Sequence, residues 1–323
     1  MPRRNLLLLS ALAILFSVIA AAFAQTADKV WRLGVLSLID TPVMHSNILA
    51  ELAERGFVEG RNLVVEMRIG TAQQMPALAR ELVSARPDVI MAMSDWAVYP
   101  AREATKSIPI VASPMGADPV AAGVAASWAR PGGNVTGVTL IAPELEVKRL
   151  DLLRQVVPTA QRVAMLSMHR EVTEPGEAPV RSAAASLGIT LVEFYIERID
   201  ELREAFAEMH SAGAEALVIV SAPEFAVHAR TLAELSMGAG LPTVCGNYRT
   251  AEQGCLIGYG PNFAELTRQA ADYVARLLSG ASPAELPIGG PTHYQFVINL
   301  NTAKALGLTV PPSILARADE VIE

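Results

Sequence analysis

Strand-length apolar runs alternate with helical stretches from Trp31 onward, and the series runs twice. "WRLGVLSL" (Trp31 to Leu38) reads as a buried strand. "SNILAELAERG" follows as a helix, with Ile48, Leu49 and Leu52 on one face and Gly56 as its stop. "NLVVEMRI" is a strand, "MPALARELVSAR" a helix with Leu78, Leu82 and Val83 inward, "DVIMAM" a strand, "WAVYPAREAT" a short helix and "IPIVAS" a strand. Strand, helix, strand in this order requires a parallel sheet with helices on both faces.

The order then restarts. "ELEVKRLDLLRQVVP" is a helix with Leu145, Leu152, Leu153 and Val156 near one face, and "RVAMLSM" is a strand. "GEAPVRSAAASLG" is a helix, "ITLVEFYI" a strand, and "IDELREAFAEMHSAG" a helix with Leu202, Phe206 and Met209 in line. "ALVIV", "EFAVHARTLAELSMG" and "LPTVCG" complete the series as strand, helix and strand. No letter-by-letter repeat accompanies it. The expected fold is α/β, with two doubly wound parallel-sheet lobes. Solutes bind such sheets at the carboxyl ends of the strands, and a cleft between two lobes is a ready site.

The first 24 residues stand outside this pattern. Arg3 and Arg4 precede an apolar run from Leu6 to Ala21, and Ala22-Phe23-Ala24 forms an A-x-A exit, so residues 1–24 read as a secretory signal peptide cleaved before Gln25. The run is short for a membrane span. No cysteine at the exit offers a lipid attachment point. The roughly 300 residues that remain exceed one typical core, which makes two domains the expectation. The net charge is −7, and it falls further once Arg3 and Arg4 are removed, which argues against a nucleic-acid partner. Export implies an oxidising compartment. There the two cysteines, Cys245 and Cys255, are expected to be bridged, the alternative being two buried thiols.

"RPGGNVTGVT" (Arg130 to Thr139) invites three readings. A phosphate loop needs a following Gly-Lys-Ser/Thr and a helix, but "VTLIAPE" follows and reads as a strand. A glycosylation site needs Asn134-Val135-Thr136 exposed. The third reading, a turn and strand leading from the first lobe to the second, fits the position and the tolerance of glycine for unusual φ.

Longer stretches resemble a known family. "GFVEGRNLVVEMR" (Gly56 to Arg68), "DVIMA" (Asp88 to Ala92) and "IPIVASPMGADPVAAGVAASWARPGGNVTGVT" (Ile108 to Thr139) carry the resemblance, as do "GYGPNFAELTRQAADYVARLLSG" (Gly258 to Gly280) and "FVINLNTAKALGLTVPPSILARADEVI" (Phe296 to Ile322). Together they are similar to ABC-transporter substrate-binding proteins of the tryptophan/tyrosine type. The resemblance implies a type I periplasmic binding protein-like body with about three crossovers at the hinge. The helix after Gly260 would return to lobe one, and "YQFVINL" to lobe two. The implied lobes are residues 25–139 plus 260–283, and residues 140–259 plus 284–323. It also implies a monomeric periplasmic receptor that captures an amino acid, aromatic or other carboxylate and delivers it to an inner-membrane ABC permease, with no cofactor.

Polar or aromatic clusters close the strands and are the candidate binding residues. They are Ser37; Ser94-Asp95-Trp96; Ser113-Pro114-Met115; Ser167-Met168-His169; Ser221-Ala222-Pro223; Asn247-Tyr248-Arg249; and Tyr259 at a crossover. Helix N-termini after Ser94 and Ser221 offer N–H groups to a carboxylate, and Arg249 offers a guanidinium. Trp96, Tyr248, Tyr259 and Met115 are candidates to sandwich an apolar body. Asp95 either receives an ammonium or caps its own helix.

Catalysis finds little support. There is no G-x-S-x-G elbow, and His45, His169, His210, His228 and His293 show no metal-ligand spacing. A two-cysteine racemase would place one thiol in each lobe, whereas both thiols fall in the second. The competing readings are a periplasmic sensor for a membrane signalling protein and a two-domain hydrolase or isomerase.

Overall fold

The structure, a computed structural model, describes residues 29–38, 42–140, 143–168 and 177–323. The signal-peptide reading of residues 1–24 and the candidate His169 lie outside the described residues. The first unit is a five-stranded parallel sheet in the order β2-β1-β3-β4-β5. Its strands are β1 (Trp31–Ser37), β2 (Leu63–Ile69), β3 (Val89–Met93), β4 (Ile110–Met115) and β5 (Val135–Thr139). Helices α1 (Pro42–Glu54), α2 (Met75–Ser84) and α3 (Asp95–Ala104) connect them.

Alternation along β1 explains the layering. Leu33 and Val35 join one core with Ile48 and Leu52 of α1, while Leu36 joins another with Leu82 of α2 and Val98 of α3. A sheet buried on both faces reads as a nearly continuous apolar run, which is why the strand is visible in the sequence.

The second unit is a seven-stranded sheet, β12-β11-β10-β9-β8-β6-β7. In chain order its elements are α4 (Pro143–Val156), β6 (Arg162–Met168), α5 (Ala178–Ser186), β7 (Thr190–Ile196), α6 (Leu202–Ser211), β8 (Ala216–Ile219), α7 (Pro223–Val227), α8 (Ala229–Gly238), β9 (Thr243–Cys245) and β10 (Ile257–Pro261). After α9 (Phe263–Leu278) come β11 (Tyr294–Asn299), α10 (Leu300–Ala305), α11 (Pro312–Leu315) and β12 (Glu320–Ile322). The sheet is not wholly parallel, because β11 runs antiparallel to β10. The last strand, β12, is three residues long and has no apolar run to announce it; its pairing with β11 creates it.

The chain passes between the sheets three times: after β5, after β10 and before β11. Helix α9 packs through Leu266, Ala270 and Val274 into the first core. The expected return to the second unit at 284 is corrected. Leu286 is buried in the first core, Thr136 Oγ1 donates to the Leu286 carbonyl at 2.8 Å, and Gly289 bridges to Val138. Residues 284–289 therefore cover the outer edge of β5, and the crossing comes after Gly289.

The glycine-rich stretch is the strand β5 and the turn before it. Gly137 has φ +134°, and a Cβ there would lie 2.2 Å from the Ala112 carbonyl oxygen, so only glycine lets β5 approach β4. The Asn134 amide donates to the carbonyls of Thr105 and Ile108, and Thr136 is fully buried. The triplet is structural, and the glycosylation reading is set aside.

Candidate functional site

Because β1, β3 and β4 run parallel, as do β6, β8 and β9, their carboxyl ends form one edge on each sheet. The candidate residues lie along these edges, but the structure gives them unequal access.

In the first unit, Ser37 and Ser113 are buried, and Met115 is fully buried in the first unit's core, where its carbonyl accepts from Leu140 and Thr139. Met115 is therefore corrected from a ligand-facing residue to a packing one. Pro114 and Trp96 are half-buried. Asp95 is corrected as an ammonium receptor. Its Oδ2 accepts the Gly116 N–H at 2.8 Å and its Oδ1 the Ala117 N–H at 3.2 Å, so both oxygens tie the start of α3 to the loop after β4. Burial pushes the Asp95 carboxyl above its usual range, against those backbone N–H groups, and the charge of Glu224 in the second unit adds to the rise.

Ser94 between them is unusual. It caps α3 with φ 88° and ψ 164°, a region that normally admits only glycine. It is 8% exposed, and its Oγ has no hydrogen-bond partner among the described residues.

In the second unit, Ser167 is fully buried and donates to Glu177 Oε1 at 2.7 Å, and Met168 belongs to the core. Burial pushes the Glu177 carboxyl up, opposed by hydrogen bonds from Tyr195 and Ser167. The helix after Ser221 is α7, only five residues long and begun by Pro223, so the expected anion-binding N-terminus there is corrected. Ala222 caps it and is half-buried.

Asn247 Oδ1 accepts the Arg249 N–H at 3.0 Å, while Arg249 Nε donates to the Tyr248 hydroxyl at 3.1 Å and its guanidinium lies 5.7 Å from the Tyr248 ring centroid. Tyr248 packs with Ala251 and Val297. The Tyr259 ring lies tilted against Tyr294 and edge-on to Phe296, on the face opposite Gly258 and Gly260. Both rings are thus packed against neighbouring side chains, and Tyr259 keeps a partly exposed face. Gly260 lets β10 pass the strand-end turn, since a Cβ there would lie 1.9 Å from the Gly246 carbonyl oxygen.

The residue that organises this edge is Arg149, which the sequence reading passed over. Its side chain is fully buried. Nε donates to the Tyr259 carbonyl at 2.8 Å, Nη2 to Ser221 Oγ at 2.9 Å and to the Gly246 carbonyl at 3.1 Å, and Nη1 to Glu146. One guanidinium thus joins the ends of β8 and β9 and the middle of β10 to α4. A signal for it existed. Arg149 stands four after Leu145, three before Leu152 and four before Leu153, a cation on the apolar stripe of a helix.

Cys245 at the end of β9 and Cys255 before β10 are joined by a disulfide, with Cα atoms 6.6 Å apart. Among the described residues no helix is long and apolar enough to cross a membrane.

The family model for ABC transporter substrate binding proteins matches residues 33–322. The chain belongs to that family. It is 24% identical over 291 residues to a tyrosine-binding protein of Clostridioides difficile (strain R20291), covering 87% of this chain and 82% of that protein. Among solved structures it resembles a conserved domain protein from Vibrio cholerae, with TM-score 0.82 and 25% identity over 91% of this chain and 100% of the other. An ABC domain from Streptococcus pneumoniae in complex with L-Trp shares the fold, with TM-score 0.82 and 23% identity over 90% and 99% of the two chains. The family binds solutes and does no chemistry on them, so the protein is a substrate-binding receptor and not an enzyme.

Proposed function

We propose that the chain is exported, captures an amino acid or aromatic carboxylate between its two lobes, and presents it to an ABC permease of the inner membrane. The lobes are the two sheet units, residues 25–139 with 262–289 and residues 140–261 with 290–323, and closure between them buries the solute. The tyrosine-binding relative and the L-Trp complex favour an aromatic amino acid.

Ser94 carries the placement of the site. A non-glycine residue in this conformation costs about 1–3 kcal/mol and persists where function maintains it. A buried hydroxyl with no partner among the described residues adds a further penalty. Both costs fall at the carboxyl end of β3, beside the N-terminus of α3, where a solute carboxylate or hydroxyl would meet that Oγ.

Ser94→Gly separates stability from binding. Glycine accepts the backbone without strain, so thermal stability should rise, while loss of the hydroxyl should weaken solute binding about tenfold. Titration of L-tyrosine and L-tryptophan alongside melting curves measures both. Unchanged affinity with raised stability would move the site away from Ser94.

A further inference from the structure

We propose that Glu146 binds solute directly and accepts a hydrogen bond from its ammonium group; this rests on the receptor reading above. Arg149 Nη1 donates to Glu146 Oε1 while Nη2 of the same guanidinium donates to Ser221 Oγ and to the Gly246 carbonyl. A guanidinium is planar and rigid, so this fixes the Glu146 carboxylate beside the carboxyl ends of β8 and β9. The second oxygen, Oε2, is shielded from solvent and takes no hydrogen bond from the described residues. A buried carboxylate oxygen without a donor is costly, and nearly all such atoms in folded proteins find one.

The chemistry of the edge selects the donor. Arg149 is occupied by Tyr259, Ser221, Gly246 and Glu146, so it is not the receptor for a solute carboxylate. An oxygen carrying negative charge is best matched by a charged N–H donor, which makes a shorter and stronger bond than a neutral one. Glu146 therefore distinguishes an amino acid from the same acid without its amine.

The test compares L-tyrosine and L-tryptophan with their deaminated forms, 3-(4-hydroxyphenyl)propanoate and indole-3-propanoate, by calorimetric titration. Wild-type protein should bind the amino acid at least tenfold more tightly than its deaminated form. Glu146→Gln should shrink that difference to less than threefold, mainly by weakening the amino acid. Glu146→Asp keeps the charge and withdraws the oxygen, and should fall between the two; melting curves confirm folding. The wild-type comparison needs no variant, so misfolding of either would leave the proposal testable.

An unchanged difference in both variants overturns it, as does a wild type that binds the deaminated acids equally well. Binding of organic carboxylates but of neither amino acid in a thermal-shift screen overturns this assignment and keeps the receptor. No binding by any of these compounds overturns both.

Discussion

The two strand-end edges satisfy their polar groups by opposite means. On the first sheet a carboxylate collects backbone donors: Asp95 accepts from Gly116 and Ala117, some twenty positions ahead, and the contact stays within one strand-loop-helix neighbourhood. On the second sheet a buried cation collects acceptors: Arg149 reaches Ser221, Gly246 and Tyr259, the last 110 positions away. The first arrangement fixes one loop. The second binds two strand ends, the strand β10 and a helix into one piece, just before the chain crosses after β10. Damage should therefore be local on the first edge and cooperative on the second.

The largest expected effect tests that contrast directly. Arg149→Ala leaves the partly buried Glu146 without its cation and strips the strand ends of their fully buried donor; breaking a buried pair costs about 3–5 kcal/mol, and the partial exposure of Glu146 puts the loss at about 3 kcal/mol. Urea denaturation followed by circular dichroism measures it. A loss below about 1 kcal/mol, the ordinary value for a surface pair, would mean that water replaces the guanidinium and that the two edges do not differ.

The disulfide should matter less, although it lies on the same edge. Cys245–Cys255 closes a short loop, and replacing both cysteines by serine should cost roughly 2–3 kcal/mol in the same titration. An effect as large as that of Arg149→Ala would shift the organising role from the cation to the bridge.

The smallest effect is a change of pH dependence on the first edge. Asp95 holds its proton more firmly in the folded protein than in the unfolded chain. Its protonated form therefore favours folding. That contribution is complete below the ordinary carboxylate range, near pH 4, and is lost as pH rises through the raised folded value. Wild-type stability, taken relative to Asp95→Asn, should fall as pH rises across this window; Glu177, also raised, is present in both proteins and cancels. A difference that does not vary with pH would show that the backbone donors of Gly116 and Ala117 balance burial at Asp95, and one that rises with pH that they outweigh it.

Much of the architecture is legible in the residues. The runs at Trp31–Ser37, Val89–Met93 and Arg162–Met168 are strands because each is buried on both faces, and burial on both faces leaves an unbroken apolar signature. Helix faces follow equally well: Leu145, Leu152, Leu153 and Val156 are all buried where the periodicity places them. The site is less legible. Ser94, Asp95 and Trp96 look alike as strand-end residues, yet one is strained and has no partner among the described residues, one is engaged by backbone donors, and one is half-buried. Met115 and Tyr248 have the right chemistry for a solute and instead fill cores.

By itself, then, the sequence determined that two α/β units would form and roughly where each element would lie, because periodic burial is a local property written into consecutive residues. Tertiary structure alone decided which polar groups remain available. Whether Asp95 is bonded depends on Gly116 and Ala117, and whether Arg149 is buried depends on strand residues as far away as Tyr259. Hydrogen bonds are made between atoms brought together by packing, and no spacing along the chain encodes which donor arrives first.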